Sequence, residues 1–210
     1  MGNEMLIDRV LPRFDATIIE HIVVDAPPEV VVRTAREMDF LQIHTPLVDA
    51  LMAARGLPAR IGRRFGNRPA PPPPPAMRLA DLFDAPGSAD ALEGWVGLGE
   101  EPGRELVFGA VGKFWQASID WRTVTAEAFP TFDEPDHAKI AAGFSVREYG
   151  SHRTLLSYEA RTAATDPAAR RKFVRYWRLV RWFVGVVMRA ALVTIKDLAE
   201  QGDHEPAAGG

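Results

Sequence analysis

Residues 165–201 read TDPAARRKFVRYWRLVRWFVGVVMRAALVTIKDLAEQ, and the fold turns on this stretch. Asp166 followed by Pro167 is a helix start: the carboxylate can accept from free first-turn N–H groups, and proline loses nothing at the first helical position. Gly202 is placed to close the other end. On a helical wheel, Phe173, Trp177, Val180, Val184, Val187, Ala191, Ile195 and Leu198 fall in one narrow sector, the buried stripe of an amphipathic helix. About ten turns make it ~50 Å long. A stripe of that length needs one large partner surface, and the candidate strands between residues 95 and 162 supply it. The expected class is therefore α+β, with a curved antiparallel β-sheet wrapped around a long C-terminal helix.

Upstream, residues 16–24 (ATIIEHIVV) are β-branched and bounded by Asp25, which reads as a first strand. DAPPEVV then opens a short helix reaching about Met38, with Asp25 or Ala26 as cap and Glu29 in the first turn. Thr45-Pro46 opens another, ended by Gly56. Residues 57–76 carry four arginines and a proline run that cannot join a central strand, so they read as an exposed loop in polyproline form, with an SH3-type ligand as the sharper alternative. MRLADLFDAPG is expected to make one helical turn. Residues 94–101 and 104–115 flank Glu101-Pro102-Gly103-Arg104, which fits a type II turn, and Gly109 and Gly112 suggest bending or close approach. Further strands are expected over 116–124, 137–147 and 153–162, the last two joined at Gly150-Ser151. The loop TAEAFPTFDEPD could cover an opening. The resulting order is β-α-α-β(n)-α, with residues 1–15 as an arm, 16–201 as the domain and 202–210 as a disordered tail.

The chain has 210 residues, 47% of them hydrophobic, enough for one domain with a sizeable core. Its formal net charge of −3 argues against a nucleic-acid protein. Cysteine is absent, which excludes disulfides, thiol nucleophiles and Cys-ligated metals. The N-terminal stretch lacks the apolar run of a secretory signal, and Arg178, Arg181 and Arg189 interrupt the C-terminal segment before it could span a membrane. A cytoplasmic protein is expected.

IIEHIVVDAPPEVVVRTARE, the hairpin GWVGLGEEPGRELVFGAVGKFW and the ending RTLLSYEARTAATDPAARRKFVRYWRLV together resemble the START-like, or SRPBCC, superfamily. That superfamily includes polyketide cyclases/aromatases, lipid-transfer domains and pathogenesis-related allergens. The resemblance covers roughly residues 16–200 and implies a helix-grip fold, with a small hydrophobic or aromatic ligand between sheet and C-terminal helix. The proline-rich insertion and the N-terminal arm depart from it. Because the superfamily holds carriers, sensors and enzymes, two rivals stand beside the binding reading: a polyketide cyclase/aromatase-like enzyme, and an interaction module with a filled cavity.

Candidate ligand-binding residues follow. Glu159 and Arg161 share one face of the last strand, with Leu156, Tyr158 and Ala160 on the other; the resemblance sets this strand beside the closing helix and so directs the charged pair into the cavity, the alternative being an outer-face ion pair. Tyr176 and Trp177 lie at the start of the long helix, and Trp115 shares a hairpin face with Lys113. His44, paired with Asp49, is a candidate base at the pocket mouth. In the enzyme reading Glu159, Arg161, Tyr176 or His44 would assist. The histidines are scattered without metal-binding spacing, and no GxSxG, Walker A or GxGxxG pattern is present, so neither metal nor cofactor is expected. Leu179, Trp182, Val186 and Val193 form a second apolar ridge. A homodimer, or the arm through Met5, Leu6, Ile7 and Val10, is expected to cover it, ahead of a peripheral membrane contact, which the acidic overall charge disfavours.

Overall fold

The computed structural model describes residues 4–39, 78–84, 94–116 and 118–204. In chain order the elements are α1 (Leu6–Val10), β1 (Ala16–Val24), α2 (Pro28–Glu37), α3 (Ala80–Asp84), β2 (Trp95–Glu101), β3 (Glu105–Gly112), β4 (Trp121–Arg122), β5 (Ala138–Glu148), β6 (Thr154–Ala164) and α4 (Pro167–His204). The second opening helix and the proline-rich loop lie outside the described residues.

All pairings in the six-stranded sheet are antiparallel, in the order β1-β6-β5-β3-β2 with β4 on β3. The β2–β3 hairpin closes on the expected turn: Gly103 takes φ 71°, and the Arg104 N–H donates to the Glu101 carbonyl at 3.0 Å. A register shift between Gly97 and Gly99 marks a bulge that bends the β2 edge. Residues 116–124 are mostly loop rather than strand, because Lys113 closes back on Asp120 through its backbone N–H (3.2 Å) and its ammonium (3.2 Å), leaving Trp121 and Arg122 to pair with β3.

α4 is the 38-residue helix the stripe required. Asp166 caps it, one carboxylate oxygen accepting the N–H groups of Ala168 (2.6 Å) and Ala169 (3.0 Å). The helix runs past Gly202 to His204. Its contacts are with β1, β6, β5 and α2. Phe173, Ala191 and Ile195 of the stripe are buried, Trp177, Val180, Val184 and Val187 are half-buried, and Leu198 lies outside it at 39% exposure. α2 is capped by Pro27 instead of Asp25 or Ala26, and packs Val31, Val32 and Ala35 into the core that α4 shares.

The opposite face of the sheet is also covered. α1 lays Ile7 and Leu11 against Val107, Val111, Ala141 and Phe129, a second apolar core separate from the first. Phe129, from the loop before β5, is fully buried there. That loop covers this outer face, where a Cβ on Gly109 would come within 2.9 Å of the Phe129 ring and 2.7 Å of the Ile140 carbonyl.

Candidate functional site

Cross-strand register decides which side chains meet α4. Ile18, Glu20, Ile22 and Val24 pair with Ala160, Tyr158, Leu156 and Thr154; Tyr158 pairs with Phe144, Ala160 with Ala142, and Ala142 with Phe108. Directly paired residues share a face, and these pack with Val186, Val187, Ala190, Ala191 and Ile195 of α4. This is the inner face.

Six aromatic rings run across it without a gap. Phe114 meets Trp121 edge-on (5.9 Å between centroids), Trp121 meets Trp95 (6.3 Å), Trp95 meets Phe108 (5.5 Å), Phe108 meets Phe144 (6.4 Å), and Phe144 stacks on Tyr158 (4.2 Å). Four of these separations fall in the ~4.5–7 Å range of favourable aromatic contact, and the Phe144–Tyr158 stack is closer still. Phe108, Phe114 and Phe144 are buried, whereas Trp95, Trp121 and Tyr158 keep part of their surface accessible. The half-buried Trp177, Val180 and Val184 belong to the α4 stripe that faces the sheet.

Tyr158 is the polar end of this run. Burial raises its phenol pKa well above the ordinary value, so the group stays neutral and available as a donor. Its hydroxyl makes no hydrogen bond among the described residues. The neighbouring Glu20 carboxylate is held by Arg189 at 2.6 Å.

Glu159 and Arg161 point the other way, correcting the expectation that they line the space between sheet and helix. Side chains alternate along β6, so Tyr158 and Ala160 facing α4 obliges Glu159 and Arg161 to face the arm. Arg161, 8% exposed, joins Glu159 at 2.5 Å, Asp8 at 2.8 Å and the Leu11 carbonyl at 3.3 Å, with its guanidinium 4.8 Å from the Phe14 ring centroid. It is the clasp of the arm. Glu105, also on this face, is 2% exposed; one carboxylate oxygen accepts the Leu6 N–H at 2.9 Å and the other has no partner among the described residues. Desolvation by burial, the largest influence, raises its pKa. Glu105 and Glu159 border a void of about 10 Å³ with Ser145, Met5 and Ile7.

The remaining candidates scatter. Trp115 sits near the start of α4 with the Lys172 ammonium 6.0 Å from its ring centroid, and Lys113 pairs with Asp120 at 3.2 Å and Asp136 at 3.9 Å. Tyr176 and Trp177 are half-buried, and Trp177 stacks on Phe173 at 5.9 Å. His44 and Asp49 lie outside the described residues. Among the described residues no group of three or more His, Asp or Glu could hold a metal ion. A second cleft of about 300 Å³ lies between α2 and the β2–β3 turn, where Arg36 is engaged by Asp84 (2.6 Å) and Glu100 (3.0 Å).

Sequence reasoning missed Trp95, Phe108, Phe144 and Tyr158 as a group. The signal was present in the alternation of β6, where Leu156, Tyr158 and Ala160 form the apolar face that a helix would cover. Glu105 carried no such signal, since its burial comes from an arm 99 residues away in sequence.

No family model matches the chain and no curated protein matches it. Among solved structures it is similar to CalU16 from Micromonospora echinospora, at 16% identity and a TM-score of 0.28 over 89% of this chain and 85% of that one. It is also similar to TTHA0849 from Thermus thermophilus, at 11% identity and a TM-score of 0.30 over 90% of this chain and 100% of that one. Likeness at this level carries no argument about function.

Proposed function

We propose that the protein binds a small hydrophobic or aromatic molecule between the inner face of the sheet and α4. The observation that carries this reading is the run of six rings ending at Tyr158, a half-buried side chain whose hydroxyl has no hydrogen-bond partner among the described residues. A surface of stacked rings with one placed donor recognises a flat apolar molecule bearing an acceptor, the usual chemistry of concave binding sites. The half-buried Trp177, Val180 and Val184 would form the opposite wall. An outer-face position for Glu159 and Arg161 removes two of the acid–base groups on which an enzymatic reading would draw.

The test is titration with anilinonaphthalene sulfonate, alongside native mass spectrometry of protein purified without added ligand. Ala160, half-buried on the inner face, is the position to fill. The parent is expected to enhance dye fluorescence saturably, and Ala160→Trp to weaken it at least tenfold while remaining folded. Tyr158→Phe should preserve affinity for hydrocarbon probes and weaken it for probes with a hydrogen-bond acceptor. Equal dye binding by the parent and a folded Ala160→Trp variant, with only the bare chain mass in native spectra, would overturn the reading.

A further inference from the structure

The face of α4 turned away from the sheet has a composition that its neighbours do not explain. Leu179 is 84% exposed and Trp182 63%, with Val174 exposed on the preceding turn. Arg171, Arg175 and Arg178 are exposed and, at ~100° per residue, share with Trp182 a sector of about 60°. These three and Arg181 have no carboxylate partner among the described residues, whereas Arg170, Lys172 and Arg189 are paired with Asp15, Asp136 and Glu20. From Pro167 to Lys196 there is not one Asp or Glu. The net charge of −3 thus conceals a helix face that is wholly basic and apolar.

Two occupants expected for this ridge do not fit. The arm is docked on the outer face of the sheet through Ile7, Leu11 and Asp8, and Trp182 is not among the residues these three engage. Val186 packs into the core and so leaves the ridge. A second copy would meet the patch isologously, setting unpaired arginines against unpaired arginines with no acid to separate them. The 40–77 segment holds Arg55, Arg60, Arg63, Arg64 and Arg68 against a single acid, Asp49, and repels the face for the same reason.

We propose that this face of α4 docks on an anionic phospholipid bilayer, lying in the plane of the interface. Indole prefers headgroup depth, Leu179 and Val174 supply apolar area to bury at the acyl boundary, and arginine heads reach lipid phosphates while their stems lie along apolar surface. Attachment would be peripheral, because among the described residues no helix is long and apolar enough to cross a membrane. A groove of about 340 Å³ beside Trp182, bordered by Ile18, Glu20, Arg181, Val186 and Arg189, gives a headgroup room to sit between β1 and α4, where Arg189 neutralises Glu20 at 2.6 Å and Arg181 is left to meet the anion. Nucleic acid would engage the arginines, yet it offers nothing to cover Leu179 and Val174.

Co-sedimentation of the full chain with vesicles tests this. Binding is expected to vesicles of phosphatidylcholine mixed with phosphatidylglycerol, to be negligible on phosphatidylcholine alone, and to fall as sodium chloride is raised. Removing a lipid-facing arginine should cost about fivefold, so Arg175→Gln/Arg178→Gln should lose roughly 25-fold. Leu179→Ser/Trp182→Ser should also lose binding while keeping the parent's circular dichroism and melting profile, both side chains being exposed. Absence of binding to the anionic vesicles at low salt overturns the proposal. So does concentration-dependent sedimentation abolished by Trp182→Glu, which assigns the face to a second copy, or binding to nucleic acid that survives loss of Leu179 and Trp182.

Discussion

Glu105 presents a carboxylate at 2% exposure with one oxygen on the Leu6 amide and the other unpaired among the described residues. Its pKa is raised in the fold, so folding favours the protonated form: the favourable contribution is full below the unfolded pKa and is lost as pH rises through the folded one. Glu105→Gln keeps an acceptor for Leu6 and removes the charge. It should stabilise the protein by about 1–3 kcal/mol at neutral pH, with the gain shrinking in acid, as read by urea unfolding across pH. Arg161 behaves differently, since it gathers two carboxylates, a carbonyl and a ring around one guanidinium. Arg161→Ala should cost about 3–5 kcal/mol and speed amide exchange in residues 5–15. Glu159→Ala should cost less, because Asp8 and Leu11 still hold the guanidinium. The two residues were legible as a pair from their spacing; their facing was not, since charge alone does not say whether a strand's polar side meets solvent, ligand or another segment of the same chain.

Among the elements, α4 was the most legible because its start is local chemistry. Asp166, Ala168 and Ala169 are neighbours in sequence, and the cap needs nothing else. The second Asp166 oxygen accepts the Asp136 N–H at 2.5 Å, tying the helix start to the turn before β5, and this link spans 30 residues. Asp166→Ala should therefore cost more than an ordinary cap, about 2 kcal/mol, measured as a lowered urea midpoint. β1 was legible from a β-branched run bounded by Asp25, and β5 and β6 from the turn at Gly150-Ser151 that joins them. β4 was not, because the closure of Lys113 on Asp120 shortens it from outside its own sequence. Gly109 did mark a close approach, and the crowding comes from backbone as well as from Phe129. Gly109→Ala should destabilise by about 1–3 kcal/mol, visible in the same unfolding assay.

At the scale of the molecule, the sheet is buried on both sides, by α4 and α2 on one and by α1 and the Phe129 loop on the other. Deleting residues 1–15 should strip the cover from Val107, Val111 and Ala141, giving a lower melting temperature and aggregation on heating while the inner face keeps its partners. The two-sided cover was the least legible feature, for the arm's apolar residues fit any exposed ridge in the chain and only the finished sheet selects among them. The strand order has a further consequence in time. Among the described residues β1 pairs with β6 alone, Ala16 meeting Thr162 and Val24 meeting Thr154. On a ribosome adding about 5–20 residues per second, the first strand waits on the order of ten seconds for its partner to be made. Throughout that interval the nascent chain exposes an unpaired β-branched edge, so synthesis, more than the folded state, is the stage at which this strand is open to mispairing.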